Sequence, residues 1–267
     1  MNTISTQPAV PSPQEQAHRL FSGLAAALFD LDNTLIETHI DFPLMKREML
    51  ALVARYGLDP APLTERDILG IVEAARESLQ EAGREADSTR FRTEAFARLE
   101  EIEIEHCAAP VELPGASELL AALRARAVPV AIVTRNCRAV AERLIRQGRL
   151  ACDVLLARED VARTKPHPDH LNDALHALAQ QNARPDFPPA ACLMVGDHWM
   201  DVAAGRAAGM RTIGLRRQRP ADFFAPAPPD LLVGDMAELW RLVEEAGRRE
   251  EEGAEPASAC PTSRHVG

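Results

Sequence analysis

Six short apolar runs punctuate the chain: Leu24–Phe29, Val128–Val133, Asp153–Ala157, Cys192–Val195, Arg211–Leu215 and Leu231–Val233. Each is brief and mostly continuous, the pattern of a buried strand. Amphipathic stretches separate most of them. Ser117–Ala127 carries Leu at 119, 120 and 123, Arg138–Gln147 and Pro168–Gln181 repeat a helical spacing, and Val202–Ala208 closely follows a strand. Strand alternating with helix predicts an α/β fold, a doubly wound parallel sheet of Rossmann-like type. Ligands of such sheets bind beyond the carboxyl ends of the strands.

Residues 38–113 break this rhythm. They offer no convincing strand, only charged helical sequence over Pro43–Tyr56, Thr64–Ala82 and Thr89–Glu105. A stretch of this length is too long for a simple crossover and predicts an inserted α-helical domain, the alternative being helices laid flat on the same sheet. Pro114-Gly115 marks the return to the sheet. The division expected is therefore a core of 19–37 and 114–247 with a helical insert over 38–113. Residues 1–18, rich in Pro, Ser, Thr and Gln, and the Glu-rich, then Ser/Pro/Ala-rich 248–267 read as disordered tails.

Composition narrows the setting. Hydrophobic residues make up 46% of the 267 positions and aromatics only 4%, so the core is built from Ala, Leu and Val. A formal charge of −10 argues against a nucleic-acid partner, which calls for a basic surface. The five cysteines (107, 137, 152, 192 and 260) are neither even in number nor closely spaced, which suits a reducing compartment. No secretory signal pattern and no run of roughly 20 apolar residues stands in the chain. The expectation is a cytoplasmic protein without membrane contact.

Candidate chemistry gathers where the apolar runs end. Asp30 and Asp32 follow the first run, one residue apart, so both face the same way with Leu31 turned aside. Carboxylates this close repel unless a cation joins them or one keeps its proton. Mg²⁺ suits such an oxygen pair, and a carboxylate beside it is a potential nucleophile towards phosphorus. Thr134, Arg135 and Asn136 follow the second run, where a hydroxyl and free N–H groups entering a helix can hold phosphate oxygens or simply cap the helix. Lys165 lies between Thr164 and Pro166, with Pro168 suited to a helix start, and offers a stiffly held positive charge. Gly196-Asp197 closes the fourth run, with Asp201 one helical turn further on. These two acids either cap a helix or complete an oxygen cage. Together the groups supply a nucleophile, a proton donor, phosphate ligands and a metal site, the inventory of phosphoryl transfer through a carboxyl phosphate.

In this order the four motifs resemble the haloacid dehalogenase superfamily over about residues 23–245. The helical insert resembles that of its C1-cap subgroup, which includes phosphoglycolate phosphatase-like enzymes. The resemblance extends to Pro114-Gly115 and to Asp201–Met210. It implies an Mg²⁺-dependent phosphatase that hydrolyses a small phosphorylated metabolite. Asp30 is implied as nucleophile and Asp32 as general acid and then base. Thr134, Arg135 and Lys165 are implied to bind phosphate. Asp30, the Asp32 backbone carbonyl and Asp197 are implied to hold the metal, with Asp201 in support. Asn33 stands where Gly is frequent, and His198 where a small hydroxyl residue is common.

Two other readings share this chemistry. A phosphomutase of the same family would have the same core residues and a different cap. A receiver-like phosphoacceptor domain also uses an Asp, a Thr and a Lys around Mg²⁺, but the insert and the Asp197/Asp201 pair count against it. A phosphonatase would need a cap lysine, and the insert holds only Lys46. Substrate contacts are expected from the insert and its approach, with Glu37, His39, Asp41, Lys46, Arg47 and Arg55 as candidates.

Overall fold

A computed structural model describes residues 11–107, 110–184, 186–220 and 222–253. Six strands form one wholly parallel sheet: β1 (Ala26–Phe29), β4 (Val130–Val133), β5 (Val154–Leu156), β6 (Cys192–Gly196), β7 (Arg211–Leu215) and β8 (Leu231–Val233), in the order β5-β4-β1-β6-β7-β8. The six apolar runs are these strands, trimmed by a residue or two at some ends.

Alternation along the strands divides the core between the two faces of the sheet. Ala27, Phe29, Ile132 and Val195 point to one side, where they meet α1 (Pro13–Phe21), α5 (Ala116–Ala125), α6 (Arg138–Gln147) and α9 (Met236–Gly253). Ala26, Leu28, Val133 and Met194 point to the other, against α7 (Asp169–Gln181) and α8 (Trp199–Ala207). Helices on both faces explain why the strands are apolar throughout rather than alternating. They confirm the doubly wound α/β class. The chain leaves β1 for β4 on one side and reaches β6 on the other, so the order reverses at β1. A crevice opens at that point, above the strand's carboxyl end.

The insert consists of α2 (Phe42–Arg55), α3 (Ile68–Glu81) and α4 (Glu85–His106), which pack on one another. Contrary to expectation, a strand occurs at its edge. β2 (Ile36–Glu37) pairs antiparallel with β3 (Val111–Glu112), so the outgoing and returning chains form a two-stranded ribbon. Two residues are too short a run to leave an alternation signal in sequence.

The tails also need correction. α1 covers residues assigned to a disordered N-terminus. Ser12 Oγ accepts from the Glu15 N–H while Glu15 accepts from the Ser12 N–H, a reciprocal cap that average composition hides. Ala17 and Leu20 are buried against α9. α9 itself continues to Gly253, past the expected end of the core at 247. Residues 1–10 and 254–267 lie outside the described residues. Helix α8 starts at Trp199, earlier than the expected Val202. Among the described residues no helix is long and apolar enough to cross a membrane.

Gly115 opens α5 with φ of +91°. A side chain there would sit 2.9 Å from the Met236 carbonyl oxygen and 2.9 Å from the Trp240 Cβ. Gly115→Ala combines left-handed strain with a clash against backbone and is expected to cost about 1–3 kcal/mol. Denaturant unfolding of the variant measures this loss, and unchanged stability would contradict the packing of α5 on α9.

Candidate active site

Beyond Phe29 the chain holds its alignment with β6, for the Asp30 N–H donates to the Val195 carbonyl at 2.9 Å. Asp30 and Asp32 are only 8% and 9% exposed. Leu31 between them is fully buried. Asn33 then takes a left-handed conformation (φ 57°) and its N–H donates to the Ile36 carbonyl at 2.6 Å. Asn tolerates this backbone better than most residues, so its presence instead of Gly preserves the turn.

The two aspartates have different surroundings. Asp30 Oδ1 accepts from Lys165 Nζ at 2.7 Å and its Oδ2 from Thr34 Oγ1 at 3.4 Å. Asp32 is held by neutral donors: Thr38 Oγ1 to Oδ1 at 2.8 Å, and Asn136 Nδ2 and Thr134 Oγ1 to Oδ2 at 2.6 and 3.4 Å. On the β6 side, Asp197 pairs with Arg219 at 3.2 Å. Asp201 Oδ2 accepts the His198 N–H at 3.0 Å, and its Oδ1 meets Lys165 Nζ at 2.7 Å. Gly196 makes this possible, since a Cβ there would lie 2.2 Å from Asp201 Oδ2.

Lys165 crosses under the whole arrangement and is 1% exposed. Its ammonium has three donors and three acceptors, Asp30, Asp201 and the Val133 carbonyl, each at 2.7 Å. Burial opposes its charge, but Asp201 and Asp30 outweigh burial and raise its pKa. Behind it, burial and the lysine's own charge push His170 down to about 3, which keeps the imidazole neutral.

Burial also raises the carboxyl groups. Asp30 is pushed well up, with Lys165 opposing and Asp201, Asp197 and Asp32 adding to the rise. Asp32 is raised by burial against the pull of its hydrogen bonds, which favours a carboxyl that carries a proton. Asp197 rises to about 7 through burial and the nearby Asp201, despite Arg219. Asp30, Asp197 and Asp201 each present an oxygen within 4.8 Å of the others. Three buried carboxylates side by side form a donor set suited to a hard divalent cation. The residues therefore fit Mg²⁺.

The structure thus brings together Asp30, Asp32, Thr134, Lys165, Asp197 and Asp201. Arg135 behaves differently. Its guanidinium reaches away from the carboxylates to Asp67, the N-cap of α3, and to Met200 Sδ at 3.0 Å. Of the candidate substrate contacts, Lys46 alone lines the cavity above the site, which measures about 510 Å³. Glu37 pairs with Arg217, Asp41 caps α2, and Arg55 pairs with Glu94. Sequence reasoning missed Thr38, Arg219, Glu103 and Arg158. None of them stands in a motif, and apart from Thr38, six residues from Asp32, their partners lie 22 or more residues away in the chain.

Comparison with known proteins identifies the family. The family model for haloacid dehalogenase-like hydrolases matches residues 24–209. The chain belongs to this family. It is 31% identical to a validoxylamine A 7'-phosphate phosphatase of Streptomyces hygroscopicus subsp. limoneus, over 80% of this chain and 94% of the relative. It is 30% identical to an N-acetylmuramic acid 6-phosphate phosphatase of Pseudomonas aeruginosa, over 84% of this chain and 96% of that one. Among solved structures, a β-phosphoglucomutase from Clostridium difficile shares the fold with a TM-score of 0.53 and 17% identity, covering 86% of this chain and 99% of its own.

For this haloacid dehalogenase-like hydrolase the raised carboxyl groups predict how Mg²⁺ would act on stability. With Asp197 raised to about 7, protons would compete there with the cation, so binding is expected to strengthen as pH rises. Addition of Mg²⁺ to chelator-treated protein is expected to raise the Tm more at pH 7.5 than at pH 5.5. Asp197→Asn should remove most of that gain while raising the metal-free Tm at pH 7.5, because one unfavourable buried charge is gone. A pH-independent gain, or one that Asp197→Asn leaves intact, would contradict the proposed ligand set.

Proposed function

We propose that the protein is a phosphatase for small phosphomonoesters that works through an aspartyl-phosphate on Asp30. The observation that carries this reading is the unequal environment of the two aspartates. Asp30 is paired with a cation and suited to attack, whereas Asp32 is held by neutral donors and suited to carry a proton. In the first step an Asp30 oxygen bonds to phosphorus and the bond to the ester oxygen breaks. Asp32 gives its proton to the departing alcohol. In the second step a water attacks the same phosphorus and Asp32 takes its proton. The acyl–phosphate bond then breaks, freeing inorganic phosphate and restoring the Asp30 carboxylate.

Lys165 offsets negative charge beside the attacking oxygen, and the Thr134 hydroxyl is placed to donate to the phosphoryl group. Mg²⁺, held by Asp30, Asp197 and the Asp32 backbone with Asp201 in support, would neutralise charge on the transferring phosphoryl oxygens. Arg135 would join the phosphate ligands by exchanging Asp67 for a phosphoryl oxygen. Residues 38–113 would act as a cap over 19–37 and 114–247, since the cavity is lined by both parts. Phosphorylated small molecules are the substrates named for both curated relatives, which supports the same substrate class here. The four cysteines among the described residues are free, which supports a cytoplasmic setting.

A screen of phosphorylated metabolites with Mg²⁺ tests the reading. At least one phosphomonoester is expected to be turned over repeatedly. Asp30→Asn should lower kcat by about a thousandfold or more, as loss of a nucleophile does. Wild-type turnover by that variant would remove Asp30 from the role.

A further inference from the structure

Glu103, near the end of α4 in the insert, and Arg158, just after β5, form an ion pair at 2.6 Å with both side chains 1% exposed. Neither group belongs to the phosphoryl-transfer set. Burying two charges is expensive, and such a pair seldom stabilises a fold more than an apolar pair would. Its neighbours suggest another use. Glu103 Oε2 accepts the Cys137 N–H at 2.9 Å. Arg158 Nη1 donates to the Arg135 carbonyl at 3.3 Å, and the Arg158 backbone N–H donates to the Asn136 carbonyl at 3.0 Å. Backbone groups of three consecutive residues in the loop after β4, Arg135 to Cys137, are therefore held by these two residues. The Arg158 guanidinium also lies 4.9 Å from the Phe96 ring centroid, a second contact with α4. The same loop carries Thr134, and Asn136 from it donates to Asp32 at 2.6 Å.

We infer that Glu103 and Arg158 are positioning residues that fix the 134–137 loop and, through Asn136, the carboxyl of Asp32. The inference rests on the phosphatase reading for its consequence, though not for its geometry. Because Glu103 comes from the insert, the proton-transferring carboxyl is fully oriented only while α4 is seated on the core. Seating of the insert and completion of the site are then one event.

The test uses the double variant Glu103→Leu/Arg158→Met, which removes the pair without leaving an orphan charge and so spares the fold. Three measurements are made on the full chain: Tm, hydrogen exchange over residues 134–138, and kcat/KM with Mg²⁺ for p-nitrophenyl phosphate and glycerol 2-phosphate. The nitrophenolate leaves without a proton, whereas the alkoxide needs one from Asp32. We expect a Tm close to wild type and faster exchange in the loop. Loss of kcat/KM should be about tenfold greater for glycerol 2-phosphate than for p-nitrophenyl phosphate. Asp32→Asn should show the same ester preference with loop exchange unaltered. Unchanged exchange, or equal fractional losses on the two esters, would overturn the inference. Should the double variant not fold, Arg158→Lys carries the same measurements and the same signs at smaller size. If wild type hydrolyses neither ester, an aryl and an alkyl phosphate that the metabolite screen finds active replace them; if the screen finds no substrate the phosphatase reading fails, and loop exchange alone then decides the positioning.

Discussion

Mutual repulsion of buried carboxylates is the constraint around which this molecule is arranged. Asp30, Asp32, Asp197 and Asp201 all lie at the switch point of the sheet, none more than 9% exposed. Two cations, Lys165 and Arg219, face these four acids. In a medium of low dielectric the excess charge is tolerated in three ways: pairing, protonation or a bound cation. Each acid here shows a different balance of them. Asp201 is tied to Lys165 and the His198 N–H, and Asp30 shares that lysine. Asp32 has neutral donors only, so protonation is its cheapest relief. The unequal roles proposed for otherwise identical side chains follow from that difference in neighbours.

The same constraint shapes the backbone. Lys165 reaches Asp30 and Asp201 simultaneously because β1 and β6 are adjacent in the sheet, and its third donor is used by the Val133 carbonyl of β4. Reversal of the strand order at β1 is what places these three strand ends around one ammonium. Gly196 leaves the space into which Asp201 folds back. A side chain at that position would separate the acid from the lysine. The sheet, the glycine and the charge pattern thus depend on one another.

Much of this was legible in the sequence because it is locally written. Six apolar runs announced six strands, and three of the four chemical motifs sat at the exit of one, with Lys165 further along the loop after β5. Groups whose meaning lies in a distant partner were not legible. Glu103 is one glutamate in a charged helix and Arg158 one arginine in a loop, until folding places them 2.6 Å apart in the interior. Thr38 stands only six residues from Asp32, yet it resembles any linker threonine before its hydroxyl is seen on that carboxyl. The helix at 13–21 was hidden by a different fault: averaging Pro, Ser and Gln over the tail obscured a reciprocal cap confined to Ser12 and Glu15. The two-residue ribbon at the insert's edge is too short for periodicity to register at all.

Among the described residues two ion pairs join the insert to the core, and a difference in burial divides their work. Arg135 and Asp67 remain 23% and 39% exposed, so water screens the pair and losing it costs little. The Arg135 guanidinium can therefore leave Asp67 for another anion without a large penalty. Glu103 and Arg158 cannot part so cheaply, since separation would strand two charges without solvent. One contact thus fixes where the insert sits, and the other can respond to what lies beneath it. Arg135 and Asn136 are neighbours in the chain, yet the first faces a weak, exchangeable partner and the second a buried carboxyl. A single loop therefore carries both the adjustable and the rigid halves of the site. Its rigidity is supplied from the insert, which also provides Lys46 and other side chains that line the cavity.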